Sequence, residues 1–211
     1  MCSSTTWSCT ASGCRSNVTR AVFLDRDGVI NQMVPGPGGP DSPRSADEFR
    51  LLPGVASAIR RLNDLSLPVV LVSNQPGVAK GKFPAGNLDA MTERMKSDLG
   101  EELAVLDGIY YCMHHPEAVL PDYREACDCR KPKPGLLTQA AREMDLILAG
   151  SYMVGDQARD MIAGKCVGCT TVFVASGALP AKPGEADHVC RDLDAAAHLI
   201  AQLEGATVAS Q

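Results

Sequence analysis

Two aspartates flanking an arginine close a short apolar run, Val22-Phe23-Leu24-Asp25-Arg26-Asp27-Gly28. Side chains alternate along an extended segment, so Asp25 and Asp27 reach toward one reaction centre. Two carboxylates crowded at a strand end repel each other unless a cation neutralises them, and a hard, oxygen-seeking ion such as Mg²⁺ suits them. One carboxylate is then free to attack, the other to move a proton. A second acidic run, Val154-Gly155-Asp156-Gln157-Ala158-Arg159-Asp160, also follows apolar residues. Asp160 falls on the first turn of the next helix, where the dipole favours a carboxylate. Asp156 joins Asp25 and Asp27 in a three-aspartate cation site. Ser73-Asn74-Gln75 adds a hydroxyl and two amides, which donate to phosphate oxygens without adding charge.

A different chemistry lies between these runs. Cys112-Met113-His114 and Cys127-Asp128-Cys129 are separated by 12 residues. Three sulfurs and one imidazole match a tetrahedral zinc site with no position left for water, hence a structural one. His115 is an alternative to His114 as the nitrogen ligand. Arg130 and Lys131 follow at once, so a zinc-pinned loop holds two cations ready for an anionic substrate. The loop mixes Glu117, Asp122, Glu125 and Asp128 with Arg124, Arg130 and Lys131. That balance lacks the basic footprint of a nucleic-acid binder, as does the chain's net charge of −5. Cys166-Val167-Gly168-Cys169 reads as thiols around a glycine turn.

These groups need a rigid frame. Apolar strand candidates are Ala21–Leu24, Pro68–Ser73, Asp107–Cys112, Ser151–Gly155 and Thr170–Ala175. Helical patterns fall between them at Val55–Leu65, Pro84–Leu99, Gly135–Leu146 and Gln157–Lys165, with a last one at Asp192–Leu203. Leu88, Met91, Met95 and Leu99 repeat at helical spacing, which makes the methionines core filler. Strand and helix in alternation imply a parallel sheet covered on both faces, with ligands beyond the carboxyl ends of its strands. Asp25, Asp27, Ser73, Cys112 and Asp156 all sit at such ends. Met33–Arg44, with four prolines and three glycines, reads as no helix or central strand; it is a surface loop or a flap over the mouth. Residues 1–19, rich in Ser, Thr and Cys, read as a flexible leader, 20–205 as one domain with a zinc loop over 112–131, and 206–211 as a tail. No run approaches the length of a membrane span, no secretory signal is evident, and nine cysteines cannot all pair, so a reducing cytoplasm is expected.

Asp25-Arg26-Asp27-Gly28, Ser73, Lys131 and Gly155-Asp156 with Asp160 together resemble the motifs of the haloacid dehalogenase superfamily of phosphohydrolases. The zinc loop, with Arg130-Lys131-Pro132, is similar to the branch of that superfamily acting on heptose bisphosphates, and the likeness extends over about residues 20 to 200. The resemblance implies an α/β, three-layer Rossmann-like fold with a parallel central sheet, a zinc-binding loop and no large cap domain. It implies a monomeric, Mg²⁺-dependent phosphatase acting on a sugar bisphosphate, with Mg²⁺ on Asp25, Asp156 and the main-chain carbonyl of Asp27. Asp25 is then the nucleophile, Asp27 the acid and base, and Ser73 and Lys131 the stabilisers of the phosphoryl oxygens. Arg130, Asn31, Asn74 and Gln75 are expected to orient substrate. Histidinol-phosphate phosphatases, which carry a similar zinc loop, and other small sugar-phosphate phosphatases are the alternatives. Two features depart from the family: the Gly/Pro segment Met33–Arg44 replaces a short loop, and Gln157 stands where Lys is frequent.

Overall fold

The computed structural model describes residues 19–175 and 186–208, with side chains described as far as residue 205. The leader residues 1–18 and the last tail residues 209–211 lie outside the described residues. Six strands form one parallel sheet in the order β5-β4-β1-β6-β7-β8. They are β1 (Thr19–Leu24), β4 (Val69–Asn74), β5 (Gly108–Cys112), β6 (Leu146–Gly155), β7 (Thr170–Val174) and β8 (His188–Cys190). β1 lies centrally, with Val22 and Leu24 level with Val69 and Leu71 of β4 on one side and with Tyr152 and Val154 of β6 on the other.

Alternation along the strands builds two cores. Val22, Leu24, Val69, Leu71 and Val154 pack under α1 (Val55–Asp64), α2 (Ala85–Gly100) and α5 (Leu193–Val208), against Ile59, Leu62, Met91, Met95 and Ile200. Ala21, Phe23, Val70, Val72 and Met153 face the other way, toward α3 (Gly135–Glu143) and α4 (Ala158–Cys166). Continuous apolar strands buried on both faces are what a parallel sheet between helix layers requires. The three-layer arrangement agrees with expectation, and among the described residues no cap domain interrupts it.

Several elements differ from the sequence reading; β6 starts at Leu146 rather than Ser151, and α5 runs to Val208 rather than Leu203. α3 ends at Glu143, not Leu146, because Asp145 takes a left-handed conformation (φ 52°) and Leu146 already pairs with Thr19 in the sheet. β8 is a three-residue edge strand, too short to show periodicity. Within the Gly/Pro segment, β2 (Val34–Gly36) and β3 (Gly39–Asp41) form an antiparallel hairpin. It stands apart from the main sheet, where proline's missing N–H is tolerated.

Candidate active site

β1 ends in Leu24, and Asp25 continues its line by donating its N–H to the Val154 carbonyl (3.0 Å). Gly28 then turns at φ 81°, and the Arg26 carbonyl accepts from the N–H groups of Ile30 and Asn31. This tight loop brings Asn31 back beneath Asp27.

Asp25 is 4% exposed and lies 3.0 Å from the ammonium of Lys131. The same Nζ lies 2.7 Å from Asp160 Oδ1, and the Lys131 and Asp160 side chains are wholly buried. These two contacts are ion pairs by distance; the aligned hydrogen bond of Nζ goes to the Val72 carbonyl (2.8 Å). Burial disfavours the charged lysine, but Asp160 and Asp25 outweigh it and hold its pKa above the ordinary value. Asp160 is pushed up by burial and by Asp25, against the pull of Lys131. Its Oδ2 accepts from the Gln157 N–H (3.1 Å), completing a capping box on α4. Gly155 is needed there, because a Cβ at that position would lie 2.3 Å from Asp160 Cβ.

Asp156 is half-buried beside them. Its Oδ2 accepts from Gln157 Nε2 (3.1 Å), while its buried Oδ1 has no hydrogen-bond partner. Burial, then the charge of Asp25, pushes its carboxyl up to about 7. One ligand oxygen each from Asp25, Asp156 and Asp160 lies within 4.8 Å of the others. Crowded carboxylates with an orphaned oxygen are a fit for a hard divalent cation. The carboxylate of Asp27 is not in this group, in contrast to the expected set. Buried Arg26 takes its Oδ1 (Nε 3.1 Å, Nη2 2.9 Å).

Asp27 has four side-chain partners. Besides Arg26, Asn31 Nδ2 donates to Oδ1 (3.0 Å), and Gln75 Nε2 (2.7 Å) and Ser42 Oγ (2.8 Å) donate to Oδ2. Burial alone would raise its pKa, but the Arg26 guanidinium and these hydrogen bonds hold it below the usual carboxylate value.

The expected substrate amides therefore face protein groups. Asn31 and Gln75 are directed at Asp27, and Gln75 Nε2 also reaches Ser73 Oγ (3.2 Å). Asn74 clamps the Lys131 backbone from both sides, its Nδ2 donating to the carbonyl (2.9 Å) and its Oδ1 accepting from the N–H (3.0 Å). Ser73 and Arg130 line a cavity of about 240 Å³ that opens onto Asp25, Asp27 and Asp156, and Arg130 is steadied by the His114 carbonyl (3.3 Å). Lys80, Lys82 and Arg159 add positive charge to the walls. A larger and more apolar hollow of about 530 Å³ flanks the hairpin and holds none of these charged groups.

Sequence reasoning assigned no role to Arg26, Ser42 or the three rim cations. Arg26 stood between the two conspicuous aspartates, and only its burial (1% exposed) against Tyr111 reveals a structural partner. Ser42 lies in the Gly/Pro segment, whose hairpin signal was the run of turn residues from Gly36 to Gly39.

The loop after β5 gathers the second cluster. Cys112, His114, Cys127 and Cys129 offer ligand atoms within 4.8 Å of one another. Sulfur separations are 3.5 Å (Cys112–Cys127) and 3.2 Å (Cys127–Cys129), and His114 Nδ1 lies 3.5 Å from Cys129 Sγ. Zn–S bonds of about 2.3 Å place tetrahedral sulfurs about 3.8 Å apart, so the cluster fits zinc with little adjustment. Disulfide sulfurs would sit about 2.05 Å apart, and all the described cysteines are free thiols. Burial would raise the Cys127 thiol, but hydrogen bonds from Cys129, Cys112 and the Arg130 backbone bring it down to about 7, poised to ionise. His115 faces elsewhere, its Nδ1 accepting from the Glu117 N–H (3.0 Å). Among the described residues no helix is long and apolar enough to cross a membrane.

Comparison with known proteins agrees with this geometry. A family model described as HAD-hydrolase-like matches residues 128–196. The chain is 40% identical over 158 residues to the D-glycero-beta-D-manno-heptose-1,7-bisphosphate 7-phosphatase of Escherichia coli (strain K12), covering 74% of this chain and 80% of the relative. It is 41% identical over 169 residues to the Vibrio cholerae enzyme of the same name, covering 79% and 87%. A crystal structure of D,D-heptose 1,7-bisphosphate phosphatase from B. bronchiseptica, complexed with magnesium and phosphate, superposes with a TM-score of 0.72 at 37% identity over 87% of this chain and 99% of that one. With its strand-end aspartates, buried lysine and Cys/His loop in place, the chain belongs to the haloacid dehalogenase-like hydrolases, and within them to the heptose-bisphosphate phosphatase family of phosphoric monoester hydrolases.

Proposed function

We propose that the protein removes the 7-phosphate of D-glycero-β-D-manno-heptose 1,7-bisphosphate through an aspartyl-phosphate intermediate, giving heptose 1-phosphate for nucleotide activation. The observation that carries this reading is the juxtaposition of Asp25, paired to Lys131, with Asp27, held apart from the cation cluster by its own hydrogen bonds. Asp25 attacks phosphorus in line, forming an O–P bond as the sugar–oxygen to phosphorus bond breaks. Asp27 gives a proton to the departing sugar oxygen and later takes one from the water that cleaves the aspartyl phosphate. Ser73 lines the cavity that receives the transferring oxygens, Lys131 supports them from behind Asp25, and Arg130 with the rim lysines receives the distal phosphate.

Asp25 and Asp156, with the Asp27 main-chain carbonyl, hold Mg²⁺, while Asp160 is already committed to Lys131. When bound, the ion neutralises the carboxylates and polarises a phosphoryl oxygen. Cys112, His114, Cys127 and Cys129 hold a structural Zn²⁺ that fixes Arg130 and Lys131. A reducing cytoplasm accords with a site built on free thiols; the protein acts as a monomer, which gel filtration checks.

The test is phosphate release, compared by kcat/KM for the heptose 1,7-bisphosphate, histidinol phosphate and hexose phosphates. The bisphosphate is expected to be best, and preference for histidinol phosphate would overturn the substrate assignment. Asp25→Asn is expected to abolish turnover, and normal turnover by it would overturn the mechanism.

A further inference from the structure

The hairpin departs from the family pattern, yet it reaches the reacting groups. Ser42 directly follows β3, and its hydroxyl lies 2.8 Å from Asp27 Oδ2. The neighbouring Asp41 ties the hairpin to the cavity rim through Lys82 Nζ (2.7 Å) and also accepts from the Ser42 N–H (2.9 Å). Ser42 is thereby presented to Asp27 from a tethered element.

Of the four side chains around Asp27, three only donate. A guanidinium has no acceptor, and the amide nitrogens of Asn31 and Gln75 have none either. Second bonds fix those amides in place: Asn31 Nδ2 also donates to the Gln32 carbonyl (2.9 Å), and Gln75 Nε2 to Ser73 Oγ (3.2 Å). Oδ1 faces Arg26 and Asn31 alone, so a proton there would point at N–H groups. Oδ2 faces Gln75 and Ser42, and a serine hydroxyl donates or accepts according to its rotation. Oδ2 is thus the oxygen where a proton can sit without losing its partner.

We infer that Ser42 is a positioning residue for proton transfer by Asp27, its hydroxyl reversing direction as the proton leaves and returns at Oδ2. The inference rests on the reading of Asp27 as acid and base given above. In the first step the ester P–O bond breaks as the Asp25 O–P bond forms. The Oδ2 proton passes to the sugar oxygen, and Ser42 then donates to the new carboxylate. In the second step water forms a bond to phosphorus, the Asp25 O–P bond breaks, and the water's proton returns to Oδ2. Ser42 keeps its own hydrogen throughout.

The test compares Ser42→Ala, Ser42→Thr and Asp27→Asn on the heptose 1,7-bisphosphate with saturating Mg²⁺. Loss of one hydrogen bond to a charged group predicts that kcat of S42A falls about tenfold or more with KM nearly unchanged. S42T, which restores the hydroxyl, is expected to recover most of kcat. The S42A defect should also be larger on the sugar ester than on p-nitrophenyl phosphate, whose leaving group departs without a proton. S42A with wild-type kcat, a defect confined to KM, equal losses on both esters, or no recovery in S42T overturns the role of Ser42. If D27N is inactive in that case, the reading of Asp27 stands alone; if D27N keeps normal turnover on the sugar ester, that reading falls as well.

Discussion

Replacing Lys131 by methionine removes one charge from the most buried part of the site while keeping a side chain of similar length. Its ammonium lies 3.0 Å from Asp25 and 2.7 Å from Asp160, with no exposed side-chain surface on Lys131 or Asp160. Breaking a buried pair from one side costs about 3–5 kcal/mol, because the remaining charge is left without a partner. Here two carboxylates lose their cation and the Val72 carbonyl loses its donor, so the upper part of that range applies, about 4–5 kcal/mol. For a chain of this length, about 2–4 °C per kcal/mol lowers Tm by about 8–20 °C. The pH dependence has a definite sign. Without the ammonium, burial and the charge of Asp25 hold the Asp160 carboxyl still further above its unfolded value. Groups raised in this way favour the folded state at low pH and lose that contribution as pH rises through the folded value. The K131M defect should therefore be larger at pH 8 than at pH 5, measured by urea unfolding with zinc retained and Mg²⁺ omitted. Adding Asp160→Asn should return part of the loss, with a coupling of about 1–3 kcal/mol. A K131M protein within about 1 kcal/mol of wild type at pH 8, or a defect that grows as pH falls, would refute the reasoning.

Other perturbations probe the remaining parts of the site. Asp156, pushed up to about 7 by burial and by Asp25, must lose its proton before a cation can bind. Calorimetry in buffers of different ionisation enthalpy should show Mg²⁺ releasing nearly one proton at pH 6 and almost none at pH 8; a constant stoichiometry contradicts this. Purified protein should carry about one equivalent of zinc, and Cys127→Ser should lose it together with much of kcat/KM; zinc-free active wild type would sink the assignment. A Cβ at Gly135 would meet the Asp128 carbonyl oxygen at 2.3 Å and Cys129 Cα at 2.8 Å. Because backbone must move, Gly135→Ala should lose about 1–3 kcal/mol and weaken zinc retention, and an unchanged Tm would count against that packing.

The proposed nucleophile and cation ligands are legible in the sequence because a strand end dictates their placement locally. Asp25 follows Leu24 and Asp156 follows Gly155, and a parallel sheet brings such ends to one side whatever the loops do. The cysteine pairs are legible for a similar reason, since short spacing limits where four ligands can go. What side chains do after the backbone has placed them is less visible. Asn31, Asn74 and Gln75 carry amides that suit phosphate equally well; a tight turn directs Asn31 to Asp27, and long-range contacts direct Gln75 to Asp27 and Asn74 to the Lys131 backbone. Asp160 looked like a helix-start carboxylate, which it is, but its second oxygen meets a lysine 29 positions earlier. The hairpin escaped because proline argues against strands, an argument that holds for central ladders and lapses for an isolated pair of three-residue strands.

A buried lysine at the end of a long loop poses its own physical problem, and the Cys/His cluster answers it. Between Met113 and Arg130 only Ala118 is buried, so those 18 residues have almost no core of their own. Ordering each backbone unit costs about 1–2 kcal/mol, far more than that burial returns. Hydrogen bonds within and around the loop help, including those from Val119 and Leu120 to the Ala79 carbonyl and the Asn74 clamp. At about 1 kcal/mol net each, they do not both offset that ordering cost and hold the ammonium of Lys131 within 3.0 Å of Asp25 against its tendency to return to water. Zinc binding, worth about 10–16 kcal/mol in small metal-folded domains, is of the needed size. It follows that zinc loss should release Lys131 from the sheet edge before the sheet unfolds, leaving Asp25 and Asp160 as a repelling pair. An apoprotein should therefore show early amide exchange over 113–131 with β1 and β4 still protected, and simultaneous exposure of loop and sheet would show that the loop is held by something other than the metal.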